Sequence, residues 1–201
     1  MISIIVYTSK VILLGIILFS ISISGAFSQS NSDSSNLDNS NTKYQLYELY
    51  CDSALEFSFQ PEKRNTYLRS IVKLNSENEF PINWKFEIAK TWKLFEELKY
   101  DSVEIHLNQP IFHELDHYDK ENRVLLIYHI AHLNKVLLKY SLANKYFEKL
   151  KYFSEKDNNT DFLIEAYWGF ESIAKSTEDY ELAKKKLDEL LPIITNDTTN
   201  R

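Results

Sequence analysis

Lys139-Tyr140-Ser141-Leu142-Ala143, followed by Tyr146, Phe147, Leu150 and Phe153, is the stretch whose reading decides the fold. The apolar intervals of three and four place these side chains on one face of a helix. Upstream, Val124, Ile127, Tyr128, Ala131 and Leu138 form a second apolar face, so a polar turn around residues 139–141 joins two helices. A tyrosine with a small residue three positions later recurs every 40 residues, as Tyr100 with Val103, Tyr140 with Ala143 and Tyr180 with Ala183. A fixed period of this length marks a helix-pair repeat.

Working outward, the next pair repeats the layout. Phe162, Ala166, Tyr167, Phe170 and Ile173 precede a turn at residues 176–179, and Leu182, Ala183, Leu187, Leu190 and Ile194 follow it. Pro192 is expected to end regular helix near its own position. In the pair before, Trp84, Ile88, Trp92, Phe95 and Leu98 predict a helix with Asn83 as its N-cap. Pro110 predicts a kink or break in the partner helix, since proline removes a backbone donor and clashes with the preceding turn. A first pair spans residues 47–55 and a helix opened by Pro61. The column Tyr67, Leu107, Phe147 and Leu187 is large and apolar in every unit, as a residue packing on a neighbouring unit should be. No segment alternates with period two, so the expected fold class is all-α, an array of three to four antiparallel helix pairs over residues 43–201.

Residues 11–27 are apolar apart from serines, with Lys10 before them and Ala26-Phe27-Ser28 at their end. That is the pattern of a Sec-type signal peptide over residues 1–28, the alternative being a retained N-terminal anchor. Residues 29–42 are rich in Ser, Asn and Asp and are expected to be a flexible linker. The protein is therefore expected to be exported, to a periplasmic or extracellular location. Cys51 is the only cysteine and has no intrachain partner; its helical neighbours Tyr47, Tyr50, Ala54 and Leu55 make it a small core residue.

Function classes narrow by exclusion. Gly15, Gly25 and Gly169 are the only glycines, so the Gly-rich loops that cradle phosphates are missing. A formal charge of −6, with lysines interleaved among acids, argues against nucleic-acid binding. One constellation carries chemistry: His113-Glu114-Leu115-Asp116-His117 matches H-E-x-x-H. On a helix, His113 and His117 would share a face and hold zinc, with Glu114 as general base and His129 or His132 as a third ligand. Against it stand Pro110 one turn upstream, a charge at Asp116, and Arg123 where a metzincin-type third histidine would fall.

Residues 122–192 resemble a tetratricopeptide repeat. Ala143 and Ala183 stand at the motif's small position in the second helix, with Phe147, Leu150, Leu187 and Leu190 at the large positions that follow. Ala131, Tyr167 and Phe170 match first-helix positions, while Glu171 stands where a small residue is usual, and the period is 40 rather than the family's about 34. The resemblance implies a non-enzymatic scaffold for a protein or peptide partner, without cofactor, whose concave surface is lined by first helices. The polar first-helix residues Asn134, Lys135 and Glu171 are the candidate contacts. The alternative is a zinc-dependent hydrolase built on residues 113–117. Contact with a membrane is expected only if residues 11–27 are retained.

Overall fold

The computed structural model describes residues 34–199, with side chains over 41–195; among these, α-helices follow one another and no strand forms. The packed residues belong to one compact unit, which begins at Tyr44. The expected signal peptide or anchor lies outside the described residues. No described helix is long and apolar enough to cross a membrane.

The helices are α1 Ser34–Glu56, α2 Pro61–Asn78, α3 Trp84–Glu96, α4 Tyr100–Leu107, α5 Lys120–Val136, α6 Tyr140–Asp157, α7 Thr160–Ser176 and α8 Tyr180–Thr199. Consecutive helices pack from α2 to α4 and from α5 to α8, and α5 also packs on α3 and α7. Adjacent helix pairs therefore share one continuous core, running from Leu55 through Trp92, Ile127 and Phe147 to Leu190. A smaller cluster of Tyr47, Cys51, Ala54, Leu68, Ile71 and Ala89 closes the N-terminal end.

The 40-residue period is a period of turn geometry. Tyr100, Tyr140 and Tyr180 are each the first residue of a second helix, and Val103, Ala143 and Ala183 are buried. Two residues before each tyrosine, Leu98, Leu138 and Glu178 take the left-handed conformation, with φ of 58°, 60° and 61°. Each turn closes with the same two bonds. Leu138 N–H donates to the Lys135 carbonyl at 3.0 Å and Lys139 N–H to that of Asn134 at 2.9 Å; Lys99 bonds Leu94 and Asp179 bonds Ala174 likewise. These are Schellman caps, which satisfy the last carbonyls of the first helix and fix the direction of the second. Leu98 and Leu138 thus leave the apolar helix faces on which their spacing placed them, and both are 70% exposed.

Other local expectations meet their structural counterparts. Asn83 caps α3, its side chain accepting from Lys85 N–H at 2.8 Å, and Pro61 opens α2. The helix begun at Tyr100 stops at Leu107, and Pro110 starts a 3-10 turn, Pro110–Phe112. Pro192 does not end its helix: α8 continues through it to Thr199. Pro192 is exposed on α8, so the hydrogen bond that proline removes is lost on a solvent-facing side of the helix. Residues 34–42, expected in the linker, lie in α1. Once the packed face beyond Tyr47 nucleates the helix, each added residue costs little. Of the apolar column, Phe147 and Leu107 are buried and Tyr67 is half-buried, whereas Leu187 is 42% exposed.

Candidate functional site

Residues 113–117 are not an α-helix. Proline at 110 ends α4, and the chain crosses to α5 through two 3-10 turns, Pro110–Phe112 and Leu115–His117, with His113 and Glu114 between them. Turns of about three residues bring i and i+3 together and leave i+4 on another side. Accordingly the His117 Nδ1 lies 3.2 Å from a Glu114 carboxylate oxygen, three residues back, while the His113 Nδ1 lies 3.3 Å from the Tyr146 hydroxyl on α6. His113, Asp116, Lys149 and Tyr152 line a shallow groove of about 550 Å³ here.

His129 and His132 are elsewhere, on α5. His129 is 4% exposed, and its Nδ1 accepts from the Trp92 indole N–H at 3.3 Å. His132 packs edge-on against Phe147, with rings 5.3 Å apart. The premise that the motif's histidines share one helical face is therefore corrected. Among the described residues no three His, Cys, Asp or Glu side chains come together as a metal-ligand set.

The interaction residues divide. Asn134 is 2% exposed, and its amide donates to the Ile130 carbonyl at 2.8 Å, so it lies beneath the surface. Lys135 and Glu171 do meet, in an open groove of about 340 Å³ where α5 and α7 lie side by side. The Lys135 ammonium reaches the Ser172 hydroxyl at 3.4 Å, and Glu171 is ion-paired to Lys175 one turn on. Glu165 lines the same groove, and burial raises its carboxyl above the usual range, an effect Lys135 opposes. Burial lowers the Lys135 ammonium, and Glu165 and Glu171 counter this. Trp168 forms a wall, 51% exposed, unlike Trp84 and Trp92, which are buried in the core.

Sequence reasoning weighs Trp168 with the other aromatics and favours packing, and passes over Glu165, because both sit in an apolar-periodic helix, where exposure depends on how α7 is rotated against α5. It also missed a buried ion pair. Arg64 is fully buried, donates to the Ser58 carbonyl at 2.7 Å and forks onto both oxygens of Glu96, tying the α1–α2 turn to the end of α3. Cys51 is a buried free thiol, and burial pushes it up to about 12, which leaves it protonated and unreactive.

The chain matches no protein-family model, no curated protein and no solved structure.

Proposed function

We propose that this chain is a non-enzymatic scaffold that binds a protein or peptide, and that its helix pairs form a tetratricopeptide-like array. The observation that carries the reading is the α5–α7 groove. An exposed indole, Trp168, stands beside a half-buried cation, Lys135, and the carboxylates Glu165 and Glu171. Tryptophan exposed at a groove wall is costly to leave in water and is the side chain most enriched at binding hot spots. The surrounding charges orient a partner's polar groups and raise specificity more than affinity. In this reading the protein is exported, and its partner lies in the periplasm or outside the cell.

The test replaces Trp168 by Ala and Lys135 by Glu and follows partners co-purified from the native cell. Loss of the same partner in both variants, with unchanged helical circular dichroism, supports the groove. A partner set unchanged in both contradicts it.

The second reading, a zinc-dependent hydrolase using Glu114 as base with His113 and His117 as ligands, has one observation in its favour: these residues border an open groove. It requires residues 113–117 to rewind so that both imidazoles converge, and His129 to leave its bond to Trp92.

A further inference from the structure

A second groove, between α2 and α3, is larger and differs in character from the α5–α7 groove. Its volume is about 720 Å³. The floor is apolar, made by Leu68, Val72, Phe86 and Leu94, and Val72 is 58% exposed. The rim is basic: Arg69 and Lys73 stand on α2, Lys90 and Lys93 on α3, and Lys99 in the turn after it. Two carboxylates answer these five cations. Glu97 is paired with Lys93 and Lys99, and Glu87 lies 3.5 Å from Lys90. Arg69 bonds only the Thr66 hydroxyl among the contacts described, at 3.2 Å. This concentration of positive charge sits on a chain whose formal charge is −6.

The two walls have helical periodicity. Leu68, Arg69, Val72 and Lys73 recur at the intervals of one face of α2, and Phe86, Lys90, Lys93 and Leu94 at those of one face of α3. The lining runs from Asn65 to Ser76 on α2, about 16 Å, and from Phe86 to Leu94 on α3, about 12 Å, or two to three helical turns. We infer that this groove seats an acidic amphipathic helix of a partner protein, its apolar stripe on Val72, Phe86 and Leu94 and its carboxylates against Arg69, Lys73 and Lys90. An amphipathic helix laid between two helices is an established recognition mode, and its anchors fall at i, i+3, i+4 and i+7. The trough shape favours a cylinder over the flat surface of an anionic bilayer. The chain's own α8 is already committed, packed along α7.

The probe is a labelled synthetic helix of about 15 residues, with leucines at i, i+4, i+7 and i+11 and flanking glutamates, titrated by fluorescence anisotropy into the full chain. A sister peptide with lysines for the glutamates and vesicles of anionic phospholipid are run alongside. Saturable binding of the acidic peptide is expected, weakening with salt because the rim charges are solvated. It should fall by at least about tenfold in Val72→Asp and in Lys73→Glu/Lys90→Glu, and remain in Trp168→Ala. Val72 and Lys73 are exposed, so thermal unfolding of Val72→Asp should match the parent; Lys90→Glu faces Glu87, so the paired variant is assayed well below its own unfolding transition.

Equal binding of the lysine peptide overturns the proposal, as does acidic-peptide binding that Val72→Asp leaves intact. Vesicle binding in place of peptide binding, lost in the same variants, assigns the groove to lipid and overturns it too. Self-association abolished by Val72→Asp assigns it to a second copy with the same consequence. Loss of partners in Trp168→Ala with this groove still competent would separate the two sites.

Discussion

The residues that set each pair's geometry are small in number and unusual in conformation. A left-handed turn costs an L-residue about 1–2 kcal/mol, and glycine avoids that cost while losing about 0.5–1 kcal/mol of chain entropy on folding. Leu138 pays the steric penalty with its side chain in solvent. Leu138→Gly should therefore stabilise the fold by up to about 1 kcal/mol, read as a higher urea midpoint, and Leu138→Ala should give no such gain. The tyrosines after these turns were legible in the sequence. The turns were placed to within a few residues, but their left-handed residues were not legible, because no glycine announces them and a leucine three residues beyond Phe95 reads as core.

Two histidines make a second residue-scale prediction. Burial, with His132 nearby, holds His129 down to about 3, and burial, with Lys135 nearby, holds His132 down to about 4. Unfolded, both titrate near about 6.5. Between these values the unfolded chain binds protons that the native chain refuses, so stability is complete above pH about 6.5 and falls as pH drops through it. Each histidine contributes a slope of up to about 1.4 kcal/mol per pH unit. His132→Gln should flatten the stability curve between pH 6.5 and 4 by about one proton's worth; an unchanged slope would mean that His132 is solvated in the native state.

At the scale of elements, one close approach sets the spacing of α6 and α7. A Cβ built on Gly169 would lie 2.3 Å from the Phe147 ring, which is fully buried. Gly169→Ala gains about 1 kcal/mol of helix propensity yet forces a packed ring to move, at about 1–3 kcal/mol. The net change should be destabilising by about 1 kcal/mol, and it should become neutral or favourable in a Phe147→Leu background. Stabilisation in the parent would show that the ring yields freely. The repeat motif directs attention to position 171 for a small residue, and the approach occurs instead at 169, while Glu171 is ion-paired to Lys175 at the groove.

The same scale explains why H-E-x-x-H does not form one helical face. Its force depends on helical spacing, and Pro110, read correctly as a break, removes the helix that would supply it. The break and the motif were both legible; their incompatibility was decided by the 3-10 path, which no periodicity encodes.

For the folded unit as a whole, continuity between pairs comes from shared core and from the Arg64–Glu96 fork, which joins the first pair to the second. Removing one partner of a buried pair strands the other, and Glu96→Ala should destabilise by about 2–3 kcal/mol, below the fully buried range because Glu96 reaches solvent. A loss confined to a few tenths would mean that the first pair is held by packing alone. The all-α class and the pairing of helices followed from apolar intervals of three and four. The charge pattern of the α2–α3 groove did not, since its lysines and arginine lie far apart in sequence and gather only when two helices align.

The proposed scaffold folds without metal and binds a partner rather than reacting with it. This is tested most directly by measuring the metal content, helical circular dichroism and unfolding midpoint of the full chain before and after chelation, with His113→Ala alongside. Substoichiometric metal, with the same helicity and midpoint in all samples, is expected. Zinc bound one to one, lost on chelation or in His113→Ala together with structure or a hydrolytic activity, would contradict it.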